Sequence, residues 1–199
     1  MDMKRLMTSI SLATILFLSS NCVTTLIPNN TDNFTNSIES KISDEQLEMI
    51  VSKIKNKESV EIIIDDKGNI LSGPFKTQWV QQIGKYSVRL DFHYHQVNGC
   101  NNTRPIHHIN AAIELYGQPK YQNEVINLHI GAWRENGRIC FCIYESKSGK
   151  GGKICSPTKD DLKNVIAPIL VSVGISVAVA YAIAEILAWL GIGVLVFTV

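Results

Sequence analysis

Histidine is the residue type in this chain whose spacing could do chemistry. His93 and His95, in Asp91-Phe-His-Tyr-His95, alternate with aromatic residues, and strand spacing throws both imidazoles to one face. His129 falls on a segment expected to be a neighbouring strand, and His107-His108 precede a third. An H-x-H pair completed by His129 is a geometry that can hold zinc and leave a coordination position open. Asp91 shares the face of His93 and His95 and could orient an imidazole. Glu114 is a general-base candidate only by its proximity in the chain, at no fixed spacing from them. A metal-dependent exported enzyme is one reading of this set. The plainer reading, favoured because no general base stands at a fixed spacing, is a polar, solvated sheet face with Phe92 and Tyr94 packing on the other.

Cysteine is the second reactive type. Five are present, and Cys100, Cys140, Cys142 and Cys155 remain if Cys22 belongs to a leader. An even number in an oxidising compartment reads as two disulfides. Cys140 and Cys142 lie two apart in a strand-like run and share a face, so each should reach a different partner. Cys100 and Cys155 are those partners, in an order left open. A metal site from Cys140, Cys142, Cys155 and a histidine lacks the paired C-x-x-C spacing. No nucleophile elbow, Walker loop or dinucleotide fingerprint occurs, and Ser148-Gly-Lys-Gly-Gly152 lacks phosphate-loop spacing. The chain is therefore read as non-enzymatic, with no cofactor beyond the zinc alternative.

The elements that must position these residues follow from periodicity. Ser43 and Gln46 make a capping box, and Leu47, Ile50, Val51 and Ile54 share one face of a helix over 44–56. Residues 60–64 are a β-branched run, turned by Asp65-Asp-Lys-Gly-Asn69 into Ile70-Leu71. Strands are expected over 87–96, 109–116, 125–133 and 138–145, with Asn136-Gly137 as a hairpin turn. Residues 146–152 read as a loop. The fold class is α+β: a small antiparallel sheet domain with an N-terminal amphipathic helix, plus a C-terminal hydrophobic membrane helix or helical hairpin.

Both ends point to a membrane. Lys4 and Arg5 precede an apolar stretch over 6–18 and then Ser19, Ser20 and Asn21, the layout of a secretory signal peptide. An apolar stretch, small residues and then Cys22 resembles a bacterial lipoprotein signal, which would make Cys22 the lipidated residue. Leu18 stands one place further back than in that pattern, and Asn21 replaces the usual Gly or Ala. The domains are 1–22 signal peptide, 23–41 flexible linker, 42–156 exported disulfide-braced domain and 157–199 hydrophobic membrane segment. In 165–199 the sole charged side chain is Glu185.

Large and small residues alternate over 171–185 of that tail. On a helix, Gly174, Ala178 and Ala182 form a stripe that lets helices approach closely and self-associate. Glu185 is an intramembrane ionisable candidate. Ser156 with Pro157 reads as a helix start. One span over 165–190, or a hairpin broken at Gly191-Ile-Gly193, are the two arrangements. Removing 165–199 is then expected to leave a soluble domain.

Formal net charge is +1, which excludes a basic field for nucleic acid. The leading functional reading is an exported surface or envelope protein, anchored in the lipid bilayer by its tail, with a small domain for a surface partner. A secreted, pore-forming toxin whose C-terminal helix inserts into target membranes ranks second. The metal-dependent enzyme ranks third.

Overall fold

A computed structural model describes residues 42–75, 79–97, 104–120 and 124–199. The expected signal peptide and linker, Cys22 and Cys100 lie outside the described residues. The chain order is α1 (Asp44–Lys55), β1 (Val60–Asp65), β2 (Ile70–Ser72), β3 (Lys85–His95), β4 (Ile106–Leu115), β5 (Glu124–Glu135), β6 (Arg138–Glu145), β7 (Gly151–Cys155), α2 (Lys159–Ser172), α3 (Val177–Gly193) and a short 3-10 turn, Leu195–Thr198. The class is α+β.

The strands form one seven-stranded antiparallel sheet in the order β2-β1-β3-β4-β5-β6-β7. Each long strand neighbours the next in sequence, because short turns suffice for antiparallel pairing. Asn136 and Gly137 turn β5 into β6 with φ of 50° and 75°, the left-handed pair that a tight hairpin requires. Asp65 closes the β1–β2 turn by accepting from the backbone N–H of Lys67 and Asn69.

Alternation separates the two faces of the sheet. Ile62, Ile64, Val88, Leu90, Ile113, Leu128, Ile130 and Phe141 point to one face and belong to the main core. The same core takes Leu47, Ile50 and Ile54 from α1, Leu162, Ile166 and Leu170 from α2, and Ile183, Leu187 and Leu190 from α3. Residues 159–198 are thus a helical layer on the sheet. Burying a leucine or isoleucine contributes about 1.5–3 kcal/mol each, so this layer is a main source of stability. The expectation that the domain stays soluble without its tail does not fit this packing.

The tail is a hairpin, but its break differs from expectation. A continuous helix over 165–190 is not formed; the chain turns over 173–176, with Gly174 at φ 103°, and Gly191 and Gly193 stay within α3. Helix α2 is capped by Thr158 rather than Ser156: Thr158 Oγ1 accepts from the Asp161 N–H, and the Asp161 carboxylate accepts from the Thr158 N–H. The expected loop over 146–152 gives way to β7 from Gly151 onward. Strand β4 begins at Ile106, three residues before the expected start, and so includes His107 and His108.

Candidate functional site

The helices cover one face of the sheet and leave the other to four histidines. In β3, His93 and His95 share the uncovered face. His108 of β4 lies directly opposite His93, and His129 of β5 lies opposite Asn110, two residues from His108. Pairing register therefore gathers three strands' worth of imidazoles. Ring centres are 5.7 Å apart for His93–His95, 5.5 Å for His93–His108, 4.3 Å for His95–His108 and 5.6 Å for His108–His129. All three sequence-predicted ligands lie in this group. His108 is the member that sequence reasoning placed ahead of its strand; Ile106, a β-branched residue two before it, was the available signal for the earlier start.

Burial grades across the cluster. His95 is exposed, His93 and His129 are half-buried, and His108 is fully covered, at 0%. Beside the histidines on this face, Val97, Ile106 and Cys142 make a second apolar cluster, flanked by Trp133 and Tyr144. Burial pushes His108 down to about 4; its Nδ1 bond to Ile106 opposes this, and the other histidines add to it. Burial lowers His129 as well, helped by His95 and His93.

Two rings have defined tautomers. His108 Nδ1 stands 3.2 Å from the Ile106 carbonyl and His95 Nδ1 stands 2.8 Å from the Gln96 carbonyl. A carbonyl only accepts, so each Nδ1 carries the proton and each Nε2 keeps its lone pair in the neutral ring. His108 Nε2, His129 Nδ1 and the Asn110 side-chain oxygen are buried without a hydrogen-bond partner. Native chains leave few such groups, so three on one face is a departure that needs a cause.

The acids of this region have other partners. Asp91 accepts from Arg89 Nε at 3.0 Å and from the Ser59 hydroxyl, and Glu114 accepts from the Tyr116 hydroxyl. Among the described residues, Glu135, Cys140 and Cys155 are the group of three with ligand atoms within 4.8 Å of one another, and two of them are already joined. The Cys140–Cys155 disulfide ties β6 to β7 where these residues face each other in register. Cys142 is also disulfide-bonded.

Ala178, Ala182 and Glu185, expected from the sequence to face a membrane, sit on the opposite, covered side. Ala178 and Ala182 pack on the β1–β2 turn at Gly68: a Cβ there would stand 2.8 Å from the Ala178 carbonyl oxygen and 3.5 Å from Ala182 Cβ. The small-residue stripe thus admits a turn of the sheet rather than a second membrane helix. Glu185 is 5% exposed, and its two oxygens take Lys159 and Lys163 of α2, each at 3.2 Å. Burial pulls Lys163 down, but its hydrogen bond and charge interaction with Glu185, joined by Asp160, hold it above its ordinary value. Lys159 also lies over the Trp189 ring at 4.6 Å.

Residues Val177–Thr198 are long and apolar enough to cross a membrane, and 67% of their most apolar 18-residue window is buried within the fold. A core helix meets the same description. No protein family, curated protein or solved structure matches the chain.

Proposed function

We propose that the chain is an exported, membrane-associated protein, held at the bilayer by its apolar helical layer and offering the uncovered sheet face to a partner. The observation that carries this is the lack of a polar side on α3 and the turn after it. Residues there that are not buried are Val177, Tyr181, Trp189, Ile192, Val196 and Phe197 and their small neighbours. A helix in a small soluble domain ordinarily turns charged residues to water; one apolar all round belongs in a core or in lipid. Val177 at 37% and Phe197 at 77% exposure are the most outward parts of that surface. Export is supported by the signal-like N-terminus and by disulfide-bonded cysteines, which persist in oxidising compartments.

Glu185 favours the pore-forming alternative as a second reading. Its charge is matched only while α2 and α3 stay paired, so an inserting hairpin carries its own lysine counterions. Flotation with vesicles of phosphatidylcholine and phosphatidylglycerol, loaded with a self-quenching dye, tests both. The chain should float with the vesicles at neutral pH. Retained dye supports the anchor and released dye supports the pore. A chain that stays at the bottom of the gradient at neutral and mildly acid pH defeats the membrane reading altogether.

A further inference from the structure

We propose that His93, His95, His108 and His129 form a binding site for a divalent transition-metal ion of the zinc type, open to solvent on the His95 side. This goes beyond the membrane reading and does not depend on it.

Ring placement comes first. Zinc–nitrogen bonds of ~2.0–2.1 Å in a tetrahedron put the centres of imidazoles sharing one ion about 5 Å apart. Ring-centre separations of 4.3 Å for His95–His108, 5.5 Å for His93–His108, 5.6 Å for His108–His129 and 5.7 Å for His93–His95 bracket that spacing, with His108 at the centre of the group. Since the ligand nitrogens are not yet gathered within 4.8 Å of one another, capture turns the rings inward on fixed strands. The backbone supplies the convergence, and side-chain rotation completes it.

Tautomer and burial come second. A metal-bound imidazole commonly donates its other N–H to a carbonyl or carboxylate, which fixes the ring and aims the lone pair. His108 and His95 already do this, through Ile106 and Gln96. The lone-pair nitrogen of His108 is wholly buried and has nothing to bind. An orphaned acceptor has lost its water without gaining a partner, and a bound cation removes that cost. His129 Nδ1 is orphaned on the same face. Neutral imidazoles without carboxylates suit zinc, copper(II) or nickel, and do not suit calcium or magnesium, which take oxygen.

The test titrates zinc chloride into the full, untagged chain, stripped with chelator and with its disulfides intact. Calorimetry should show one equivalent bound, and cobalt(II) in place of zinc should give the strong visible bands of a tetrahedral site. His108→Gln should weaken zinc binding by roughly tenfold or more. Because His108 is fully buried, the exposed His95→Gln is measured beside it and should show a loss of the same order with an unchanged circular-dichroism spectrum. Absence of binding by the parent chain overturns the site, and so does full affinity in the His93→Gln, His95→Gln double variant. Vesicle flotation by His95→Gln should be unaltered, so failure here leaves the membrane reading standing.

Discussion

The two faces of this sheet are made by the same strands and solve opposite problems. Leu128 and His129 are consecutive in β5; Leu128 is sealed under the helical layer at 0% exposure, and His129 points the other way. On the covered face every described strand meets α1, α2 or α3 through aliphatic and aromatic side chains. On the uncovered face, buried nitrogen and oxygen atoms go without partners. Stability is concentrated on one side of the backbone; on the other, the orphaned atoms of His108, Asn110 and His129 gather in one patch, whereas on the covered side His107 Nδ1 and Trp189 Nε1 are the orphaned atoms. Consistency between local and global preferences is the rule in a folded chain, and departures from it collect where function resides.

Substitutions on opposite faces should therefore differ in size. Leu128→Ala should cost about 3 kcal/mol of unfolding free energy in urea, since it leaves a cavity that the layer cannot fill. A cost below about 1 kcal/mol would mean that the helices pack loosely and that the contrast between the faces is false.

Acid should act through the uncovered face of the metal-free chain. His108, held at about 4 against an ordinary 6.5, stays neutral in the folded state where the unfolded chain takes up a proton. Its contribution is complete above about pH 6.5 and is lost as the pH falls towards 4, by up to roughly 3 kcal/mol. Thermal melts in chelator across that window should show the decline, and His108→Gln should flatten it.

Glu185→Gln probes the seam between α2 and α3. It leaves Lys159 and Lys163 without their shared anion, at a cost on the order of 2 kcal/mol, between the values for exposed and fully buried pairs. The smallest expected effect belongs to His129→Leu. Replacing an orphaned polar ring by an apolar side chain should change stability by less than about 1 kcal/mol, in either direction. The same change should weaken zinc binding, which would set affinity apart from stability on this face.

Much of the fold was legible because its elements carry simple periods. Asn136-Gly137, the Ser43–Gln46 cap and the alternation around Val88 and Leu90 each specify local geometry with local residues. Strand β7 was not legible, since Gly151, Gly152 and Lys153 have no alternation and pair only because Cys155 and Ile154 continue beside β6. The tail was legible as apolar but not as packed: lipid and protein core select the same residues, and Lys159 and Lys163, which match Glu185, precede it by more than twenty positions. For the histidines, parity along β3 was readable. The approach of His108 to His93 required the hairpin register, which no single strand encodes.

The most direct test of the membrane reading follows Trp189, on the helical layer, in a Trp79→Phe, Trp133→Phe background that removes the other tryptophans. Vesicles with brominated acyl chains quench indoles that reach the hydrocarbon. The account predicts that Trp189 fluorescence falls on addition of brominated vesicles and holds with unbrominated ones. Equal emission in both, with the chain bound to the vesicles, would contradict the claim that this layer is what enters the bilayer.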